Sequence, residues 1–275
     1  MPTTKSRTQT ASEKLLLRIK EIWESQDFNV HQFELKQIEV DAKKLCLNAD
    51  WSIVSQAFTI LGFICGMKED VAGVLSNFNN AIKYQPSDSS VHNNFSVCLD
   101  YFGRYSQSYK ESKIAFEADP TDLQYVRLCV QSCCACCRFR EANILLDTWK
   151  KFQPENEDLK KYASFIDEVI KYLDEYHLKD DELERLQKIQ EDVLLSAGMR
   201  PEMFFFQGYY DEMDDMRCFY REIFLNQPVE KIVELDNLLD QKMAKADPPI
   251  PFLVLRSTIF SFTSDPSPSI KSFGN

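Results

Sequence analysis

Five cysteines crowd into nine positions of the chain: Cys129, Cys133, Cys134, Cys136 and Cys137. Thiolates bind zinc, and both Cys133/Cys136 and Cys134/Cys137 have CxxC spacing, while Cys129, Cys133 and Cys137 line one helical stripe. A tetrahedral site usually needs a second ligand pair from elsewhere. The sequence offers no second CxxC and no nearby histidine, so these thiols are expected to act as small apolar fillers of a packed helix. A helical backbone also makes a disulfide among them awkward, and nine cysteines in all, an odd number, fit reduced thiols in a cytosol. Asp211, Glu212, Asp214 and Asp215 could gather a hard cation, but no calcium-loop pattern accompanies them, and a solvated turn is the simpler expectation. His31, His92 and His177 lie far apart in the chain. No GxSxG, HExxH or phosphate-loop signature is present. The expectation is therefore a chain with no catalytic residue, no metal and no cofactor.

The elements around these residues must come from a chain with 44% hydrophobic residues, 20 Phe and 11 Tyr, enough for a substantial core. Seven glycines in 275 residues disfavour Gly-rich nucleotide loops and turn-rich all-β folds. A net charge of −11 repels nucleic acid and anionic membranes and favours a basic partner. The first ten residues lack the apolar centre of a signal peptide, and no run approaches the roughly 20 apolar residues of a membrane span. A cytoplasmic protein with no nucleic-acid or membrane partner is expected; its oligomeric state stays open.

Three prolines, Pro86, Pro120 and Pro154, stand 34 residues apart, each closing a similar phrase such as Ala81-Ile82-Lys83-Tyr84-Gln85-Pro86. A fixed period of this size predicts stacked helical hairpins, because one hairpin cannot bury its apolar face alone. The apolar spacing places them at 51–66 with 71–84, 89–102 with 105–118, and 123–137 with 141–152. A looser hairpin precedes them, its first helix starting at the capping-box phrase Thr10-Ala11-Ser12-Glu13 after a flexible leader, 1–10. Beyond Pro154 the period is lost, and amphipathic helices over 157–175 and 180–197 are expected to cap the stack.

The repeating unit resembles the tetratricopeptide repeat family. The positions that carry the resemblance are Phe58, Leu61, Gly62, Cys65, Val74, Phe78, Ala81 and Pro86; then His92, Phe95, Ser96, Leu99, Ser108, Ser112, Ala115 and Pro120; then Val126, Cys129, Val130, Cys133, Ala142, Leu146, Trp149 and Pro154. The large first-helix residue is never Trp, and Trp149 stands where the family has a small residue. The resemblance implies a mainly α fold, a right-handed superhelix of antiparallel hairpins over 11–198. It also implies a concave groove lined by the first helix of each hairpin: Gln56, Thr59 and Phe63, then Ser90, Asn93 and Val97, then Gln124, Arg127 and Gln131. Family members that clamp a terminal carboxylate carry several cations there, and here only Arg127, with Asn93 near, would serve.

The texture changes after Pro201. Two aromatic runs flank the acidic turn, a helix spans 228–246, and 252–262 alternates as a strand does, so a small β-β-α-β domain is expected over 201–263, followed by a flexible tail, 264–275. The expected function is a non-enzymatic interaction module (adaptor, regulator or partner-specific chaperone) holding a peptide or partner helix in the groove. The alternative is an enzymatic or metal-dependent C-terminal domain whose substrate the repeats recruit.

Overall fold

The computed structural model describes residues 4–211 and 216–264, with side chains for 11–202 and 218–264. The acidic turn at 212–215 and the tail from 265 onward lie outside the described residues. By its contacts the chain forms two compact units: Met1–Cys98 with Lys110–Asp119, and Leu99–Tyr109 with Pro120–Asn275.

Ten helices form five hairpins: α1 (Thr4–Ser25) with α2 (Gln32–Leu45), α3 (Trp51–Met67) with α4 (Val71–Tyr84), α5 (Ser89–Tyr101) with α6 (Tyr105–Ala118), α7 (Leu123–Ala135) with α8 (Phe139–Phe152), and α9 (Glu157–Glu175) with α10 (Asp180–Ser196). The second helices α4, α6 and α8 are each 14 residues long and begin 34 residues apart. Their turns repeat atom for atom. The amides of Asp70, Arg104 and Arg138 reach back to the carbonyls of Cys65, Leu99 and Cys133 at 2.9, 2.9 and 2.8 Å. The residue before each of those amides, Glu69, Gly103 or Cys137, takes a left-handed φ of +57 to +68°. This is the helix-ending bond that satisfies a carbonyl with no partner inside the helix. First helices are capped in the same phase: Asp88 accepts from the Ser90 amide at 2.9 Å and Asp122 from the Gln124 amide at 2.8 Å.

The phase does not stop at Pro154, contrary to the expectation from sequence. Asn156 caps α9 34 residues after Asp122, accepting from the Leu159 amide at 3.0 Å. The turn at His177 (φ +54°) repeats the Leu178-to-Leu173 bond at 2.8 Å. Helix α9 is 19 residues long where α7 is 13, and this insertion alone shifts the register. Helices α9 and α10 are thus a lengthened repeat. At the other end α1 starts at Thr4, so the phrase at Thr10 lies within a helix and does not begin one.

In the first unit the core runs through aromatic contacts from Trp23 to Phe63 (5.3 Å), Phe78 (5.8 Å) and Phe95 (4.9 Å). Gly62 is needed here: a Cβ on it would lie 2.5 Å from the Phe78 ring.

The second unit ends in a three-stranded sheet, order β1-β2-β3, of β1 (Met203–Asp211), β2 (Met216–Phe224) and β3 (Thr258–Thr263). β1 and β2 form an antiparallel hairpin; β2 and β3 are parallel, so the chain crosses over through α11 (Val229–Ala244) and the short α12 (Phe252–Ser257). Residues 252–257 were expected as strand. They are helical because Pro251, at φ −57°, presets a helix start, and the Ser257 hydroxyl bonds the Leu253 carbonyl at 2.8 Å. Only Thr258–Thr263 keeps the alternation of buried and open side chains.

Candidate functional site

The first helices bring the expected contact residues into very different surroundings. On α3, Gln56 is half-buried and accepts a hydrogen bond from Ser12 of α1. Thr59 is 1% exposed and spends its hydroxyl on the Ser55 carbonyl at 3.1 Å. Phe63 is 2% exposed and lies between Trp23 and Phe78. The reason is the hairpin that precedes them: α1 and α2 pack on α3 and close the face the sequence leaves open. Thr59 and Phe63 are therefore core residues, a correction to the expected groove.

On α5, Ser90 and Val97 are half-buried, and Asn93 is 2% exposed. Asn93 is therefore a core residue too, a second correction to the expected groove, and its side-chain oxygen has no hydrogen-bond partner among the described residues. An unmet buried acceptor costs about 1–3 kcal/mol, so it is an unusual thing for a repeat to keep. Asn94 beside it bonds Ser90 at 3.4 Å.

On α7, Gln124 and Arg127 are exposed and Gln131 is half-buried. Helix α9 reaches the last two: Asp158 lies 3.7 Å from Arg127, and Gln131 donates to the Tyr162 hydroxyl at 2.7 Å. The Arg127 pair is about half exposed on both sides and so contributes little, on the order of 0–1 kcal/mol, which leaves the guanidinium able to exchange partners.

The cysteine cluster is interior. Cys129, Cys133, Cys134, Cys136 and Cys137 are at most 4% exposed. The hydrogen bond to Cys129, followed by burial, raises Cys133. Burial raises Cys134 and Cys136, and pushes Cys137 up to about 12. Protonated thiols are poor ligands and poor nucleophiles. Among the described residues no group of three or more His, Cys, Asp or Glu is arranged to hold a metal ion. Of the acidic turn, only Asp211 is described, as the last residue of β1.

The polar centre that sequence reasoning missed is Arg221. It stands on β2 in a row with Phe219 and Ile223, opposite Phe260 of β3, and is fully buried. Its guanidinium donates to Gln190 of α10 and, at 3.1 Å, to the Ala135 carbonyl that ends α7. It also lies 5.3 Å from the Tyr105 ring and 5.9 Å from that of Phe260. Burial lifts the Asp100 carboxyl to about 6, against the pull of the Arg221 charge. Nearby, Glu191 holds the Ser106 amide (3.1 Å), the Ser106 hydroxyl (2.7 Å) and Gln187 (2.8 Å). The cluster is buried and docks the sheet on α7 and α10. An arginine among aromatics on a strand was the one available signal.

With hairpins, caps and turns in phase, the architecture names itself. The fold is a tetratricopeptide-like helical repeat, mainly α, with a small C-terminal sheet module. No protein-family model matches the chain, and no curated protein matches it. Among solved structures it is similar to the TPR domain of Arabidopsis OM64, at 13% identity and a TM-score of 0.38 over 42% of this chain and 96% of that one. It is also similar to Pseudomonas aeruginosa PilF, at 12% identity and a TM-score of 0.47 over 69% of this chain and 86% of that one. No described helix of the repeat is long and apolar enough to cross a membrane.

Proposed function

We propose that this tetratricopeptide-like chain is a non-enzymatic protein-interaction module that holds a peptide or partner helix on the first helices of its hairpins. The contact residues are Gln56, Ser90 and Val97 in the first unit and Gln124, Arg127 and Gln131 in the second. Adaptor, regulator and partner-specific chaperone are all roles such a surface can serve, and the net charge of −11 favours a basic partner.

The observation that carries this is the open polar face of α7: Gln124 and Arg127 are exposed, and the Arg127 pair with Asp158, at 3.7 Å, is about half exposed on both sides. A backbone carbonyl of an extended segment, or an acceptor side chain of a partner helix, would take up that guanidinium. The half-buried Ser90 and Val97 on α5 would give such a segment one polar and one apolar neighbour.

The test is Arg127→Ala, read by partner capture from native lysate alongside urea denaturation. The variant is expected to change stability by less than about 1 kcal/mol, because its exposed pair contributes little, while the partner is lost. A variant that keeps its partner at unchanged stability would show that Arg127 does not contact it.

A further inference from the structure

Positions 58, 92 and 126 are equivalent in the three in-phase hairpins, and they carry Phe58, His92 and Val126. Two are apolar; the middle one is an imidazole that is 4% exposed. Its Nδ1 lies 2.6 Å from Glu111 Oε2 on α6, and its Nε2 lies 3.0 Å from the Pro86 carbonyl, which follows α4. Both partners are acceptors. A neutral imidazole has one N–H, so either tautomer would set a ring lone pair against an oxygen lone pair at the other end. With Glu111 ionised, only the doubly protonated ring satisfies both. Glu111 keeps 19% of its side chain in solvent against 5% for His92, which leaves the carboxylate the better hydrated of the two and the natural holder of the negative charge. Position 111 corresponds to Asn77 and Leu145 in the other two hairpins, so the His–Glu pair exists in this hairpin alone among the three.

We infer that His92 is a buried imidazolium whose proton latches the α4–α5 connection to α6, making this joint of the repeat stack loosen as pH rises. The charged groups that bear on the ring are Glu111 from α6 and Asp88, the cap of its own helix, both acidic. Burial opposes the charge, but the bonds to Glu111 and Pro86 outweigh it and hold the ring above the ordinary histidine value. The sign follows from that direction. Stabilisation by the latch is fully present below the unfolded-state value of about 6.5 and is lost as pH climbs through the higher folded-state value. None of this depends on a partner.

Nitrogen-15 correlation spectra test it directly, because the chain has three histidines and His31 and His177 serve as internal references. At pH 6.5 the His92 ring is expected to show both nitrogens protonated in most molecules, with a midpoint above about 6.5, and Glu111→Gln is expected to lower that midpoint. A ring mostly in a single neutral tautomer at pH 6.5 in the folded protein would overturn the inference. In urea denaturation, wild-type stability is expected to fall across the His92 titration relative to His92→Phe, which restores an apolar residue as at Phe58. Parallel pH profiles for the two would also overturn it. If His92→Phe fails to fold, the wild-type spectrum alone decides.

Discussion

The hairpins and the C-terminal sheet module solve the same problem, satisfying polar groups while burying apolar ones, by opposite means. In the hairpins the solution is local and repeated. Asp88, Asp122 and Asn156 cap helices two or three residues ahead of them. The amides of Asp70, Arg104 and Arg138 close helices five residues back. In the sheet module one side chain, Arg221, reaches partners 31 and 86 positions away in sequence. A defect in a hairpin should therefore cost one turn, and a defect at Arg221 the docking of a whole sheet.

The largest expected effect is Arg221→Met. It removes the cation and leaves Gln190, the Ala135 carbonyl and the Asp100 carboxyl without it. Breaking a buried charge arrangement from one side costs about 3–5 kcal/mol, and urea denaturation followed through the sheet's aromatic signals should show that loss. A cost under about 1 kcal/mol would mean that the surrounding apolar row, and not the guanidinium, docks the sheet.

The repeated turn gives a paired test with smaller numbers. Gly103 and Glu69 hold the same left-handed position in adjacent hairpins. Gly103→Ala places a Cβ 2.6 Å from Leu194 and 2.9 Å from Pro201 at a φ of +68°, so a loss of about 2–4 kcal/mol is expected in thermal or urea denaturation. Glu69 is exposed and already bears the strain of φ +57°. Glu69→Gly is expected to gain about 0.5–1 kcal/mol, the relief of strain less the added freedom of the unfolded chain. Equal responses at the two positions would erase the distinction between a turn packed against Leu194 and Pro201 and one whose residue is exposed.

This division also explains what the sequence made legible. Pro86, Pro120 and Pro154 announce the period because each repeat spells its own ends. The period is hidden after Pro154 only because α9 carries extra residues between the Asn156 cap and the His177 turn. The cap itself was readable: Asn156 follows Pro154 as Asp122 follows Pro120. Thr59 and Phe63 were misplaced because a helical stripe does not reveal which neighbour covers it, and here α1 and α2 do. Arg221 was out of reach for a related reason. A buried arginine is recognisable only through its partners, and Tyr105, Ala135 and Gln190 are scattered along the chain. The strand expected from Phe252 failed because alternation over six residues also fits a helix with two buried positions, Val254 and Ser257.

The central functional claim is that a protein segment lies on the first helices. Photo-crosslinking tests it most directly, with an activatable residue placed singly at Ser90 or Gln124 on first helices and at Phe33 or Ile144 on second helices. Phe33 and Ile144 are 86% and 71% exposed, so access to them is not limiting. The account predicts that Ser90 and Gln124 capture one and the same protein from native lysate, and that Phe33 and Ile144 do not. Capture from Phe33 or Ile144 with silence at Ser90 and Gln124 would move the binding surface to the second helices and contradict the proposal.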